Sequence, residues 1–413
     1  MHDDAADAIV VDRPPAARRP LRIAVVTETY PPEVNGVSLS LARVVQGLQS
    51  RGHDLQLVRP RQQPQQVPEA GPRLQEVLTG GWPIPGYPKL RMGVPCRRAL
   101  VQRWTQERPD VVHIATEGPL GWSALRAARQ LGLPTSSDFR TNFHAYGRHY
   151  GLGWLAGPIR LYLRWFHNRA GRTMVPTEAL RAQLEALGFE RLAVVSRGVD
   201  TRLFDPARRS AALRASWGAG DDDLVIVYVG RLAAEKNLHA VIAAYAAVRE
   251  RDSKARLVLV GDGPLREELR RSCPQAHFAG QRRGEDLAAH YASGDLFAFP
   301  SLTETFGNVT PEAMASALPV VAFDTAAAGQ LIRSGVNGSL VSPPHAAAFV
   351  DAVVRLAADA PRRRALGRAA RETAQSLDWD AVVAQFEAVL VRALEGAGRP
   401  RALPSALTVH APR

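Results

Sequence analysis

The sequence predicts an α/β protein of two doubly wound domains, on three observations. Short apolar runs alternate with amphipathic segments, the pattern of parallel strands joined by crossover helices. The same alternation occurs twice. The chain is 413 residues long, enough for two such domains.

The elements follow in order. Residues 1–20 carry Arg13-Pro14-Pro15 and Arg18-Arg19-Pro20 with no apolar period and read as a flexible tail. Ile23-Ala24-Val25-Val26 reads as a buried strand. Val37, Leu41, Val44, Val45 and Leu48 share one face of a helix. Leu55-Gln56-Leu57-Val58 and Asp110-Val111-Val112-His113-Ile114 are further strands, and Leu120 to Leu131 is a helix. The second half opens with Leu224–Val229 ending in Gly230, a helix over Asn237–Arg251, and Arg256–Val260 ending in Gly261-Asp262-Gly263. Strands at Ala276–Ala279, Leu296–Pro300 and Pro319–Ala322 are interleaved with helices near Asp286–Tyr291 and Pro311–Ala317. Helices over Ala346–Ala358, Pro361–Leu377 and Asp380–Leu394 complete the pattern. The expected division is 21–200 for the first domain and 201–378 for the second, with the join near Asp200–Pro206. Residues 379–396 form a helix returning to the first domain, and 397–413 form a second tail. Ligands of such sheets bind beyond the carboxyl ends of the strands, so two facing domains make a cleft lined from both sides.

Composition narrows the function classes. At 46 % hydrophobic and 22 % charged residues the chain is globular rather than disordered. No run of about eighteen apolar residues offers a membrane span, and no signal peptide precedes the first strand. Two cysteines, Cys96 and Cys273, build no disulfide framework, and a cytoplasmic location is expected. The formal charge is +12, of which +9 falls on residues 1–200. Such a field suits phosphorylated substrates, an anionic membrane surface or nucleic acid. Nearly all of it is arginine, with Lys89, Lys236 and Lys254 the only lysines, so a compositional bias explains it equally well.

Three segments carry chemistry. In Glu304-Thr305-Phe306-Gly307-Asn308-Val309-Thr310-Pro311-Glu312, Pro311 suits the first turn of a helix, where a missing N–H costs nothing. Gly307 and the amides of Asn308, Val309 and Thr310 would then face an anion, flanked by Glu304 and Glu312 as acceptors for sugar or ribose hydroxyls. In Gly230-Arg231-Leu232-Ala233-Ala234-Glu235-Lys236-Asn237, Arg231 supplies a planar fork and Lys236 a compact charge for phosphate oxygens, with no metal required. Asn35-Gly36 opens the helix after the first strand, and Gly36 permits close approach to a ligand. The spacing is not the dinucleotide fingerprint, which disfavours a dehydrogenase.

In that order, Pro31-Pro32-Glu33-Val34-Asn35-Gly36, Gly230-Arg231…Glu235-Lys236-Asn237, Val260-Gly261-Asp262-Gly263-Pro264 and the acidic pair Glu304…Glu312 resemble the retaining glycosyltransferases of family 4, from about Arg22 to Leu394. The resemblance implies the GT-B fold, two Rossmann-like domains facing a central cleft. It places Gly36 against the donor diphosphate, with Gly230, Arg231 and Lys236 opposite. It puts Glu304 on the donor sugar, Glu312 on the ribose, and the amides after Gly307 on the phosphates. It implies no cofactor and no metal, the nucleotide sugar being a substrate. One departure stands out. The family's histidine after a strand of the first domain is replaced by Arg140, and His144 follows four residues later; each is a candidate catalytic residue. The stretch Asp138–Tyr150 looks like the subgroup of lipid-directed α-mannosyltransferases and sulfolipid synthases, which implies GDP-mannose or, second, a UDP-hexose as donor and a lipid or glycan as acceptor. Aromatic and basic residues between Trp154 and Arg172 suit either core packing or an anionic membrane surface. A sugar-nucleotide epimerase and a nucleic-acid-binding protein are the rival readings. The first lacks a convincing carboxylate–histidine set for elimination, and the second lacks a basic surface clustered with stacking aromatics. Asp378-Trp379-Asp380 fits a metal-binding D-x-D pattern but precedes a helix, where capping explains it.

Overall fold

The computed structural model describes residues 19–33, 36–63, 65–84, 87–140 and 156–396. Strands are numbered in chain order. The first sheet holds β1 (Arg22–Val26), β2 (Asp54–Pro60), β3 (Ala70–Gly71), β4 (Leu74–Thr79), β7 (Val111–Ile114), β8 (Thr135–Asp138), β9 (Arg172–Val175) and β10 (Leu192–Val194). Their spatial order is β10-β9-β8-β7-β1-β2-β4-β3, parallel except for the β3–β4 pair. A separate antiparallel hairpin pairs β5 (Gly81–Ile84) with β6 (Tyr87–Gly93). The second sheet holds β11 (Val225–Val229), β12 (Arg256–Val260), β13 (His277–Gly280), β14 (Leu296–Phe299), β15 (Val320–Phe323) and β16 (Gly338–Val341), in the parallel order β13-β12-β11-β14-β15-β16.

Both sheets therefore reverse their winding in the middle, the first between β1 and β7 and the second between β11 and β14. Crevices open at these switch points beyond the strand ends. The residues explain the strands. Val225–Val229 and Leu296–Phe299 are buried throughout, as expected of parallel strands covered on both faces. The helix Gly36–Ser50 buries Leu41, Val44, Val45 and Leu48, the apolar stripe read from the sequence, with Ser38 and Ser40 beside them.

The last helix, Trp379–Gly396, lies against the first sheet. Its Val382, Val383, Phe386, Val389 and Leu390 share one core cluster with Ile23, Val25 and Leu41. Glu387 fastens it further, accepting from Arg51 Nε at 2.8 Å and standing 3.5 Å from His53 Nε2. No helix among the described residues is long and apolar enough to cross a membrane. Of the aromatic–basic stretch, the described helix Ala156–His167 buries Leu163 and Phe166 in the first domain and turns Arg160, Leu161 and Arg164 outward, so its stripe is chiefly a packing face.

Candidate active site

A cleft between the two sheets encloses a cavity of about 1100 Å³. One wall comes from the helix Gly36–Ser50, through Gly36, Leu39, Ser40, Arg43 and Gln46. The opposite wall comes from the strand ends of the second sheet and the helix Val309–Ala315, through Gly230, Arg231, Asp262, Asn308, Val309 and Glu312. Gly36 and Asn308 meet across it: a β-carbon built on Gly36 would lie 3.7 Å from Asn308 Nδ2. Asn308 Oδ1 is buried with no hydrogen-bond partner, an acceptor facing the nucleotide-sized space.

Glycine is required where the wall is thinnest. Gly261 has φ +142°, and a β-carbon there would fall 1.9 Å from the Gly230 carbonyl oxygen. The ends of β11 and β12 can thus lie side by side with bare backbone facing the cavity. Gly307 has φ +90°, which lets the loop turn sharply into the helix.

The charged residues are paired across loops. Lys236 Nζ donates to Glu304 Oε1, and the Leu302 N–H donates to the Glu235 carbonyl at 3.1 Å, tying the 301–307 loop to the turn Ala234–Lys236. Arg231 Nη2 donates to Glu235, and half of the Arg231 side chain remains exposed. Burial raises the Glu235 carboxyl, but a backbone hydrogen bond and Arg231 bring it below its ordinary value. Glu312 Oε2 accepts from the Tyr291 hydroxyl at 2.9 Å; burial pushes its pKa up to about 7 despite that bond.

Of the residues read from the sequence, Gly36, Gly230, Arg231, Asn308, Val309 and Glu312 line the cavity. Lys236, Glu304 and Gly307 are not among the lining residues: Lys236 and Glu304 are paired with each other, and a β-carbon on Gly307 would lie 3.3 Å from the Glu304 side chain. Thr310 does not serve as expected: it is buried, and its amide donates to the Gly307 carbonyl at 3.1 Å, so it is committed to closing the first helical turn. Pro311 is the third residue of the helix Val309–Ala315 rather than the first, still within the turn that needs no N–H from it. Arg140 lies at the end of β8, where Thr305 Oγ1 approaches its carbonyl at 3.4 Å. Its Nε donates to Asp138 Oδ2 at 2.9 Å. His144 lies outside the described residues.

Several cavity residues escaped the sequence reading. Arg43 Nη2 binds Asp200 Oδ2 at 2.6 Å, joining the first helix to the segment before the second sheet. Gln281, Arg282 and Arg283 contribute from the loop after β13, where a basic loop at a strand end was the available signal. Trp379 closes the floor and packs on Gly198, whose built β-carbon would sit 2.8 Å from the indole. The D-x-D tryptophan is therefore a wall of the cavity, and among the described residues no group of three or more His, Cys, Asp and Glu could hold a metal ion.

Comparison with known proteins bears on the same two walls. Residues 34–203 match the family described as Glycosyltransferase Family 4, and residues 223–359 match that described as Glycosyl transferases group 1. A GDP-mannose-dependent alpha-mannosyltransferase of Mycolicibacterium smegmatis is 36 % identical over 382 residues, covering 90 % of this chain and 98 % of the relative. The sulfoquinovosyl transferase of Arabidopsis thaliana is 30 % identical, covering 92 % of this chain and 75 % of the relative. Among solved structures, sucrose-phosphate synthase from Thermosynechococcus elongatus superposes with a TM-score of 0.77 at 21 % identity, over 91 % of this chain and 100 % of that one.

Proposed function

The chain belongs to glycosyltransferase family 4 and transfers a hexose from a nucleotide sugar to a lipid or glycan acceptor, and we propose that its donor is GDP-mannose and that it retains the donor's anomeric configuration. The observation that carries this reading is the cavity lined by Gly36 on one side and by Gly230, Arg231, Asn308 and Glu312 on the other. It has room for a sugar nucleotide and offers cations and backbone where a diphosphate belongs. The donor identity rests on three relatives named GDP-mannose-dependent alpha-mannosyltransferase, matched over 98 %, 88 % and 97 % of their own lengths.

In this reading Glu312 accepts from the ribose and Glu304 from the mannose. Arg231 and Lys236 take the diphosphate. The bond between C1 and the β-phosphate oxygen breaks, and the negative charge that develops on the phosphate is held by Arg231 and Lys236. The acceptor hydroxyl attacks C1 from the face just vacated, its proton passing to the departing β-phosphate oxygen. GDP and an α-mannoside result. The two cations do the work that a divalent metal does elsewhere, so the reaction proceeds without one. Placement at the cytoplasmic face of a membrane fits a lipid acceptor, with Arg160, Leu161 and Arg164 as the outward residues.

Thermal-shift titration with GDP-mannose, UDP-glucose, UDP-galactose and UDP-N-acetylglucosamine tests the donor. GDP-mannose is expected to stabilise most. A larger shift with a UDP-sugar reassigns the donor, and a shift with none of the four removes the transferase site. EDTA is expected to leave turnover unchanged; loss restored by magnesium or manganese contradicts the metal-free reading. Flotation with anionic vesicles at low salt tests the membrane placement, which the absence of binding removes.

A further inference from the structure

The helix Val309–Ala315, which carries Glu312 into the donor cavity, ends in a tight turn. The carbonyls of Glu312, Ala313 and Met314 accept from the amides of Ser316, Leu318 and Ala317, each at 3.0 Å. The Ala315 carbonyl has no such partner four residues on, because Pro319 lacks an N–H. It accepts instead from Arg371 Nη1 at 2.5 Å. Arg371 stands on the helix Ala360–Gln375, one turn beyond Gly367. A β-carbon on Gly367 would lie 2.2 Å from the Ala317 carbonyl oxygen, so the two helices are pressed together beside this contact. The same guanidinium holds a second segment. Its Nη1 also donates to the Phe204 carbonyl at 2.6 Å, and its Nη2 donates to the Thr201 carbonyl at 3.0 Å and to Asp205 Oδ2 at 2.6 Å. Residues 200–205 lead from the first domain into the second, and Asp200, Leu203 and Phe204 line the cavity. The Phe204 ring meets the Tyr291 ring edge-on, with centroids 5.6 Å apart, and the Tyr291 hydroxyl is the one that donates to Glu312. Arg371 therefore supports Glu312 from two sides. It fixes the end of the helix that carries the carboxylate, and it fixes the phenylalanine on which the carboxylate's tyrosine partner leans. Arg371 itself does not line the cavity, and its side chain is 17 % exposed.

We propose that Arg371 is a positioning residue for the donor: it sets where Glu312 stands, and thereby the affinity for the nucleotide, without touching the nucleotide. This rests on the transferase reading above, in which Glu312 accepts from the ribose. The residue type fits the task. A guanidinium spreads its donors over a planar fork and reaches acceptors on both segments at once, whereas an ammonium presents its donors from a single atom. The positive charge also suits the C-terminal end of a helix, where carbonyl oxygens point outward. Sites of this kind are sensitive to such support, since a misplacement of about 1 Å imposed from a distance can cost about 100-fold in rate.

The test is a double-mutant cycle read by calorimetry, with GDP as the probe. Arg371→Lys is expected to weaken GDP binding about tenfold in the otherwise wild-type protein, and by less than about threefold in the Glu312→Gln background, where the contact it positions is already altered. A merely structural role leaves the affinity of the folded protein where it was, because unfolded protein lowers the binding stoichiometry and not the affinity. Asp205→Asn removes one partner of Arg371 and keeps the guanidinium. It is expected to weaken GDP about threefold alone and to add no loss to Glu312→Gln, and it carries the test if Arg371→Lys does not fold. Unchanged GDP affinity in the folded variants, or an equal loss with and without the Glu312 carboxylate, overturns the proposal. Wild-type protein that binds UDP in place of GDP reassigns the donor base, and the same cycle is then read with UDP. Wild-type protein that binds neither nucleotide fails the donor reading itself, and the role of Arg371 falls with it.

Discussion

Val225–Val229 and Thr135–Asp138 are both interior strands of a parallel sheet, and every residue of each is buried. The first reads Val-Ile-Val-Tyr-Val and the second Thr-Ser-Ser-Asp. The second sheet is filled as parallel sheets usually are, by one continuous apolar cluster. The first sheet divides its core into three clusters and threads a polar seam through them. Ser136 meets His113 Nδ1 at 3.0 Å, and Ser137 meets His167 Nδ1 at 2.9 Å and Thr173 Oγ1 at 3.0 Å. The seam ends at Asp138 and Arg140, at the cleft. An apolar sheet needs only packing and presents its ligand groups from loops. A polar seam holds charged groups at a strand end, because each hydrogen bond fixes the next.

The contrast can be broken most forcefully at its exception. Arg214 is fully buried in the second half, where its guanidinium donates to the carbonyls of Gly220, Asp223 and Ser293 and pairs with Asp295 at 3.0 Å. Arg214→Met leaves these carbonyls and the Asp295 carboxylate without their partner, and a loss of about 3–5 kcal/mol is expected in urea unfolding. A loss near zero would mean that the second half tolerates polar gaps after all. Next in size, Lys236→Ala removes the partner of Glu304 and, in the proposed mechanism, a cation from the diphosphate, and kcat is expected to fall about 100-fold or more with the fold retained. A kcat within a few-fold of wild type would remove Lys236 from the charge-stabilising role.

Ser137→Ala probes the seam directly. It strips partners from His167 and Thr173, and a destabilisation of about 1–3 kcal/mol is expected. A smaller cost would show that the seam is slack. The smallest effect is pH-dependent and comes from Glu312. Its native pKa of about 7 exceeds the ordinary 4.5, so the native state binds its proton more tightly than the unfolded chain does. Stability contributed by that proton is complete below about 4.5 and is lost as pH rises through 7. Glu312→Gln is therefore expected to match the wild type near pH 4 and to exceed it by about 1–2 kcal/mol at pH 8, while binding the donor less well. Equal stability at both pH values would show that the carboxyl is solvated.

The same contrast governs what could be read from the sequence. β11, β12 and β14 were legible because burial on both faces writes itself as an unbroken apolar run. β8 was not, since its burial is sustained by hydroxyls and histidines that arrive from β7, β9 and the helix before β9. The candidate site segments were legible because Arg231, Lys236, Glu304 and Glu312 lie within short stretches of fixed spacing, and of these Arg231 and Glu312 line the cavity. Arg43, Asp200 and Trp379 converge only after folding, from elements more than 150 residues apart in the case of Arg43 and Asp200, and no local pattern marks them. Thr310 shows the opposite failure: a residue in the right segment whose amide the helix itself consumes.

The central claim concerns the face of the sugar on which the new bond forms. Incubation with GDP-mannose and an accepting glycoside, followed by measurement of the one-bond proton–carbon coupling at the new anomeric centre by NMR, reads that face. The account predicts an α-mannoside with GDP released in equal amount. A β-mannoside would contradict retention, and free mannose as the sole product under every acceptor tried would contradict transfer.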